Sequence, residues 1–252
     1  VTWRRAAALA GWLGAVGPGC GAAAPAPVAV ARGSMAYAVE LVAGQVVSIE
    51  LGERFEAVVR GWPDLRERRR IDLGPAEADV VALAPALDGS ARFVVGGRTG
   101  EVLLIDADAG AVIGRWPHGA AITALRLTLD DAYVGDGHGD LCRRRQRDGA
   151  LLVCAALGAP VRRLDLDDAR IWVTFVDDTV RALDARTLAP ARGGTAPAVT
   201  WRLLPDGVRW GGRRWRLAGP ARGAAVAPDG RLLVATWIDS LDDASLVLLA
   251  PR

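Results

Sequence analysis

Imidazole chemistry in this 252-residue chain rests on two histidines. One of them, His138, sits in Asp136-Gly137-His138-Gly139-Asp140. Two carboxylates and an imidazole on a glycine-rich turn are donor types that a divalent ion accepts. The spacing matches no metal loop, so the segment reads as a polar turn and no metal is expected. Other aspartates cluster at Asp130-Asp131, at Asp165 with Asp167-Asp168, at Asp177-Asp178 and at Asp242-Asp243. They could ring one face and meet a cation or a basic partner. The plainer reading is that they form turns, because an aspartate side chain hydrogen-bonds its own backbone there. The chain holds no G-x-S-x-G elbow, no phosphate-binding glycine loop with lysine, no H-E-x-x-H and no C-x-x-C. These absences point away from the common catalytic plans. A non-enzymatic protein without a cofactor is the expectation.

All 31 basic residues are arginine, against 29 acidic ones, for a net charge of +2. So mild a balance does not argue for a nucleic-acid partner. The densest basic run is Arg143-Arg144-Arg145 with Arg147, and Arg66 with Arg68-Arg69-Arg70 is similar. Either could meet anionic lipid or an acidic partner; a solvated sheet edge that blocks strand addition is the simpler role. Trp210-Gly211-Gly212-Arg213-Arg214-Trp215 interleaves aromatic rings with guanidinium groups. Such a surface can hold glycan or a single strand by stacking, although core tryptophans with flanking exposed arginines would read the same way. Trp210, Arg213, Arg214 and Trp215 are the candidate binding residues.

Two cysteines, Cys142 and Cys154, flank a hairpin tipped by Asp148-Gly149. A three-residue loop, 147–149, would set them directly opposite; a two-residue loop would turn them to opposite faces. Gly149 suits the left-handed position of the longer form, and a disulfide between Cys142 and Cys154 is expected.

These residues hang on short apolar runs bounded by Gly and Asp, with no long helical period. Phe93-Val94-Val95, Val102-Leu103-Leu104-Ile105 and Ile171-Trp172-Val173-Thr174-Phe175-Val176 are examples. Runs this short and β-branched read as strands. They recur in the same order about every 40 residues, the period of propeller blades. Units begin at Val80, Ile122, Val161 and near Ala224, with an earlier one over Met35–Leu73 and a short one over Ala198–Pro220. The fold expected is all-β: a β-propeller of about six four-stranded blades, some degenerate, over residues 28–252. Val28–Ala31 is left over at the start and is expected to complete the last blade, closing the ring.

The unit from Ala78 to His118 resembles a WD-repeat blade. Ile105-Asp106 stands where Trp-Asp is usual, and His118-Gly119 near the usual Gly-His with the order reversed. Ala227-Pro228-Asp229-Gly230-Arg231 resembles the turn between the first two strands of such blades. Asp106-Ala107-Asp108-Ala109-Gly110 followed by Trp116 is similar to quinoprotein-type repeats. No unit rebuilds the full His, Asp, Ser/Thr and Trp set of WD blades. The resemblance implies a rigid scaffold with variable loops, suited to holding a protein or peptide.

At the N-terminus, Arg4-Arg5 precede an apolar stretch from Ala6 to Val16, too short for a membrane span of roughly 20 residues. Small residues, Cys20 and an Ala/Pro-rich run follow. The pattern is that of a secretory signal peptide and an Ala/Pro-rich linker, together residues 1–27. Val16-Gly17-Pro18-Gly19-Cys20 also resembles a bacterial lipoprotein signal, with Gly17 and Pro18 departing from it; the resemblance implies lipidation of Cys20 and leaves Cys142 and Cys154 as an even pair. The expected protein is therefore a WD-repeat-like binding scaffold in the bacterial cell envelope, periplasmic or held to the membrane by a lipid, with no nucleic-acid partner. The alternatives are an exported propeller enzyme of quinoprotein, lactonase or glycosidase type, and a cytoplasmic scaffold.

Overall fold

The computed structural model describes residues 29–32, 35–75, 79–167, 169–194, 201–210, 212–217, 219–236 and 244–250. The segment with Cys20, and Asp168, Asp242 and Asp243, lie outside the described residues. Every regular element among the described residues is a strand, in six antiparallel sheets of three or four.

The chain opens with β1 (Ala29–Arg32). The first sheet is β2 (Ala36–Val42), β3 (Gln45–Leu51), β4 (Arg54–Arg60) and β5 (Glu67–Pro75). The second is β6 (Val80–Pro85), β7 (Arg92–Gly97), β8 (Glu101–Asp106) and β9 (Ala111–Pro117). The third is β10 (Ile122–Leu127), β11 (Asp131–Asp136), β12 (Asp140–Arg145) and β13 (Leu151–Ala156). The fourth holds β14 (Val161–Leu166), β15 (Arg170–Phe175) and β16 (Val180–Asp184); the fifth holds β17 (Trp201–Leu204), β18 (Gly207–Trp210) and β19 (Arg213–Arg216). The sixth holds β20 (Ala221–Val226), β21 (Leu232–Thr236) and β22 (Ser245–Leu249), with β1 as its outer strand. The expected units at Val80, Ile122 and Val161 are thus the first strands β6, β10 and β14, and the last starts at Ala221 rather than near Ala224. β1 pairs along its whole length with β22, from Ala29 opposite Leu248 to Arg32 opposite Ser245.

Not every sheet has the four strands expected. Beside β16, residues 189–191 begin a fourth: Asp184 N–H donates to Ala189 O, and Ala191 N–H to Ala182 O. Pro190 lies between them as a single antiparallel bridge with Leu183, its missing N–H turned away from β16. No strand lies beyond β19 among the described residues.

The strands were legible as apolar runs because most are covered on both faces. Five buried clusters each join two sheets. Phe55 and Val59 of the first meet Phe93 and Ile105 of the second. Val94 and Trp116 meet Ile122 and Val134 of the third, and Leu141 meets Ile171 and Phe175 of the fourth. Val39 and Val46 of the first meet Leu233 and Leu246 of the sixth, whose Leu232 and Val247 meet Val208 and Trp215 of the fifth. Close approach is set by small residues on second strands: a Cβ at Gly135 would stand 2.6 Å from a Val161 methyl, and one at Gly96 2.8 Å from Ile122. The fourth and fifth sheets meet differently, through charge. Asp178 pairs with Arg162 on one side and with Arg202 at 3.5 Å on the other. Arg163 lies over the Trp201 ring, 5.7 Å from its centre.

One buried ion pair sits inside the first sheet. Arg60 donates to Glu50 at 2.5 Å and to Ser48 at 2.6 Å, and Ser48 donates to Glu50 at 2.6 Å. The Arg60 and Glu50 side chains are 4% and 6% exposed, so each charge depends on the other for solvation.

Candidate functional site

The first strands of five sheets share a register shift at their second residue, at Tyr37, Val81, Thr123, Arg162 and Arg222. An extra residue there turns each strand the same way. Three residues beyond the shift stand Glu40, Ala84, Arg126, Asp165 and Ala225. The polar members lie close enough to act on one another electrostatically. Arg126 and Arg163 pull the Glu40 carboxyl toward ionisation and Asp165 opposes it, while Glu40 also accepts the Leu41 N–H. Arg163 is bound to Asp165 at 2.8 Å. Arg126 Nε is buried without a hydrogen-bond partner. The cluster therefore draws on the first, third and fourth sheets, which are not all neighbours.

Burial dominates at Glu40 and pushes its pKa up to about 7. A carboxyl that titrates higher folded than unfolded adds stability below its unfolded pKa, near 4.5, and loses it as pH rises through about 7. Glu40→Gln should remove this component. Wild-type stability falls between about pH 4.5 and 7 relative to the variant, read by urea midpoints across that range; parallel profiles would contradict it.

The aromatic and arginine residues of the fifth sheet do not form one surface. Alternation splits them. Trp201, Trp210 and Arg213 align across the three strands, and so do Leu203, Val208 and Trp215, on the face turned to the sixth sheet. Trp215 is 5% exposed and lies in that core, its ring 5.7 Å from Trp210. Arg214 lies on the other face, aligned with Arg209 and Arg202. Residues adjacent across the β18–β19 hairpin are thus not on a common face. All three aligned arginines are exposed, as is Arg216, two residues along the same face of β19. Asp206 answers Arg214 at 2.5 Å and Arg216 at 4.0 Å.

Cys142 and Cys154 are directly opposite and joined by a disulfide. The hairpin differs from the three-residue loop expected. Arg145 N–H donates to Ala150 O, and Gly149 N–H to Arg145 O, which makes a four-residue tip. A register shift at Leu152 then restores the offset that sets the cysteines opposite. Gly149 has φ +68°, and a Cβ there would collide with the Trp116 ring. Replacing both cysteines by serine is expected to cost about 2–3 kcal/mol, since the bridge closes a short loop. Denaturant unfolding measures it; a loss below about 1 kcal/mol would show that the bridge adds little.

Asp136 is spent within its own turn and on a residue the sequence did not connect to it. Its Oδ1 accepts the His138 and Asp140 N–H groups. Its Oδ2 is 3.1 Å from His118 Nε2, both side chains 3% exposed. His138 contributes its backbone to the turn, and no group of three metal-ligating side chains occurs among the described residues. Most other turn aspartates serve likewise: Asp88 binds Ser90, Asp167 binds the Trp172 Nε1–H and two N–H groups, and Asp184 binds Thr187. These bonds hold all three carboxyls below the usual aspartate range. Arg143 and Arg145 of β12 are half-buried and paired with Asp131 and Asp148 rather than forming a free edge. Arg70, on the outer strand β5, pairs with Glu67 and Glu56.

These features define an all-β protein of six small, repeat-like antiparallel sheets. No family model and no curated protein matches the chain. Among solved structures it is similar to the crystal structure of the computationally designed Ika4 protein, with a TM-score of 0.51 and 22% identity, covering 60% of this chain and 91% of that one. At this identity the likeness concerns the fold alone.

Proposed function

We propose that the six sheets close into a WD-like β-propeller that acts as a non-enzymatic binding scaffold in the bacterial cell envelope. The observation that carries the ring is the electrostatic coupling of Glu40 to Arg126, Arg163 and Asp165. Side chains from the first, third and fourth of six successive sheets reach one space when the first strands surround a common axis. Pairing of β1 with β22 ties the start of the ring to its end, leaving the sixth sheet without a bare outer edge on β22. Such a ring is rigid at its centre and offers loops and outer edges for recognition. The arginines of the fifth sheet give a partner surface of defined charge.

Export is read from the segment before Val28 and follows the signal-peptide pattern. Mass analysis of the mature N-terminus from native cells tests the compartment: a lipidated Cys20, or cleavage before Val28, supports it, and an intact leader overturns it. Affinity purification of the full protein from native envelope tests the scaffold. A stoichiometric protein partner is expected; a protein that purifies alone and turns over a small molecule would contradict the reading.

A further inference from the structure

We infer that the outer edge of β19 takes an acidic, extended peptide as the fourth strand of the fifth sheet; this rests on the scaffold reading above and specifies its partner. Four observations carry it. First, a fourth strand stands outermost in the first, second, third and sixth sheets, and the place beside β16 is partly taken by residues 189–191. Beside β19 the corresponding place holds no strand among the described residues. Second, β19 is a regular strand, paired at all four positions with β18 from Gly207 opposite Arg216 to Trp210 opposite Arg213. Its outward N–H and C=O groups therefore follow strand spacing, and an exposed edge of this kind is a template for another strand.

Third, the charge is one-sided and in register. Arg202, Arg209 and Arg214 form one row across the sheet, and Arg216 continues their face along β19. Like charges directly opposite each other destabilise a sheet. Asp206 and Asp178 answer only part of this charge: Asp178 is shared with Arg162, and Arg209 has no carboxylate within ion-pair distance among the described residues. Fourth, this face turns away from the apolar cluster that joins the fifth sheet to the sixth, and among the described residues no apolar cluster covers it from the fourth. A partner strand beside β19 places alternate side chains on the arginine face, roughly 7 Å apart along the strand. Carboxylates at those positions pair with Arg214 and Arg216, while the intervening side chains face the Arg213 side. Main-chain bonds supply affinity and the alternating acids supply specificity.

The probe is a fluorescein-labelled peptide of alternating glutamate and valine, titrated into the full protein at moderate salt and read by anisotropy. Saturable binding is expected. The R214E/R216E double variant should weaken it at least tenfold while lowering the melting temperature by no more than a few degrees, as both side chains and their pairing with Asp206 are exposed. A peptide of the same sequence, N-methylated on the edge that would face β19, should also lose at least tenfold, because it keeps the charge and removes the main-chain donors. Equal binding of the N-methylated peptide, or of the lysine counterpart, overturns strand addition. Equal or tighter binding of a single-stranded oligonucleotide or of anionic vesicles of matched charge also overturns it and makes the face a general polyanion surface. Absence of binding overturns it outright. The scaffold reading is judged separately: if an endogenous partner co-purifies with wild type and with R214E/R216E alike, the scaffold stands and the β19 site falls.

Discussion

Replacing Arg60 by alanine is expected to destabilise the protein by about 3–5 kcal/mol, because it removes one partner of a buried ion pair. The Glu50 carboxyl then loses its guanidinium partner at a site where its side chain is 6% exposed. Ser48 keeps its bond to Glu50 but loses the guanidinium that both share. A fall in melting temperature of roughly 6–20 °C follows for a domain of this size. The informative comparison is the double variant Arg60→Met with Glu50→Leu. Removing both charges and keeping volume should cost much less than the single change, because an unpartnered buried charge costs more than an absent pair. Calorimetry or urea unfolding of the two variants checks this. Equal losses would show that packing, and not charge, dominates there.

Deleting residues 29–32 is expected to cost about 4 kcal/mol or more. Four residues of β1 leave the β22 ladder, and each net hydrogen bond contributes roughly 0.5–1.5 kcal/mol. β22 carries Leu246 and Leu248, fully buried between the first and sixth sheets, and Val247 and Leu249 on the opposite face. Partial exposure of even one of these large side chains adds about 1–2 kcal/mol. The bare edge of β22 also becomes a template for another chain, so concentration-dependent association should accompany the lower melting temperature. A deletion variant that melts with wild type would mean that β22 is held by its sheet neighbours alone.

The repeated strands were legible because their signal is local. Turn aspartates and glycines bound β-branched runs at Val80, Ile122 and Val161, and each of these residues begins a first strand. What was not legible depends on register and on distance in sequence. Trp210, Arg213, Arg214 and Trp215 are neighbours across a hairpin, yet the pleat sends Arg214 to one face and the others to the opposite one. The cysteine pairing came from a different loop than expected, because a four-residue tip and a bulge at Leu152 give the same offset as a three-residue tip. His118 and Asp136 are 18 residues apart, and the nearer His138 drew attention instead. Glu40, Arg126, Arg163 and Asp165 are spread over three units. Glu40, Arg126 and Asp165 share a fixed offset from a bulge that sequence periodicity does not reveal, and Arg163 stands beside the bulge itself. The short bridge beside β16, where other sheets carry a fourth strand, shows only once the bonds of Asp184 and Ala191 are placed.

Closure of the six sheets into one ring would account for the Glu40–Arg126–Arg163–Asp165 cluster and the β1–β22 pairing together. The seam between the fourth and fifth sheets, bridged by Asp178 and the Arg163–Trp201 contact, is where an open arc would part. Small-angle X-ray scattering of the chain from Val28 to Arg252 separates the two. A closed, compact ring predicts a radius of gyration of about 17 Å with a single symmetric pair-distance distribution. A radius several ångströms larger, with an elongated distribution, would contradict closure.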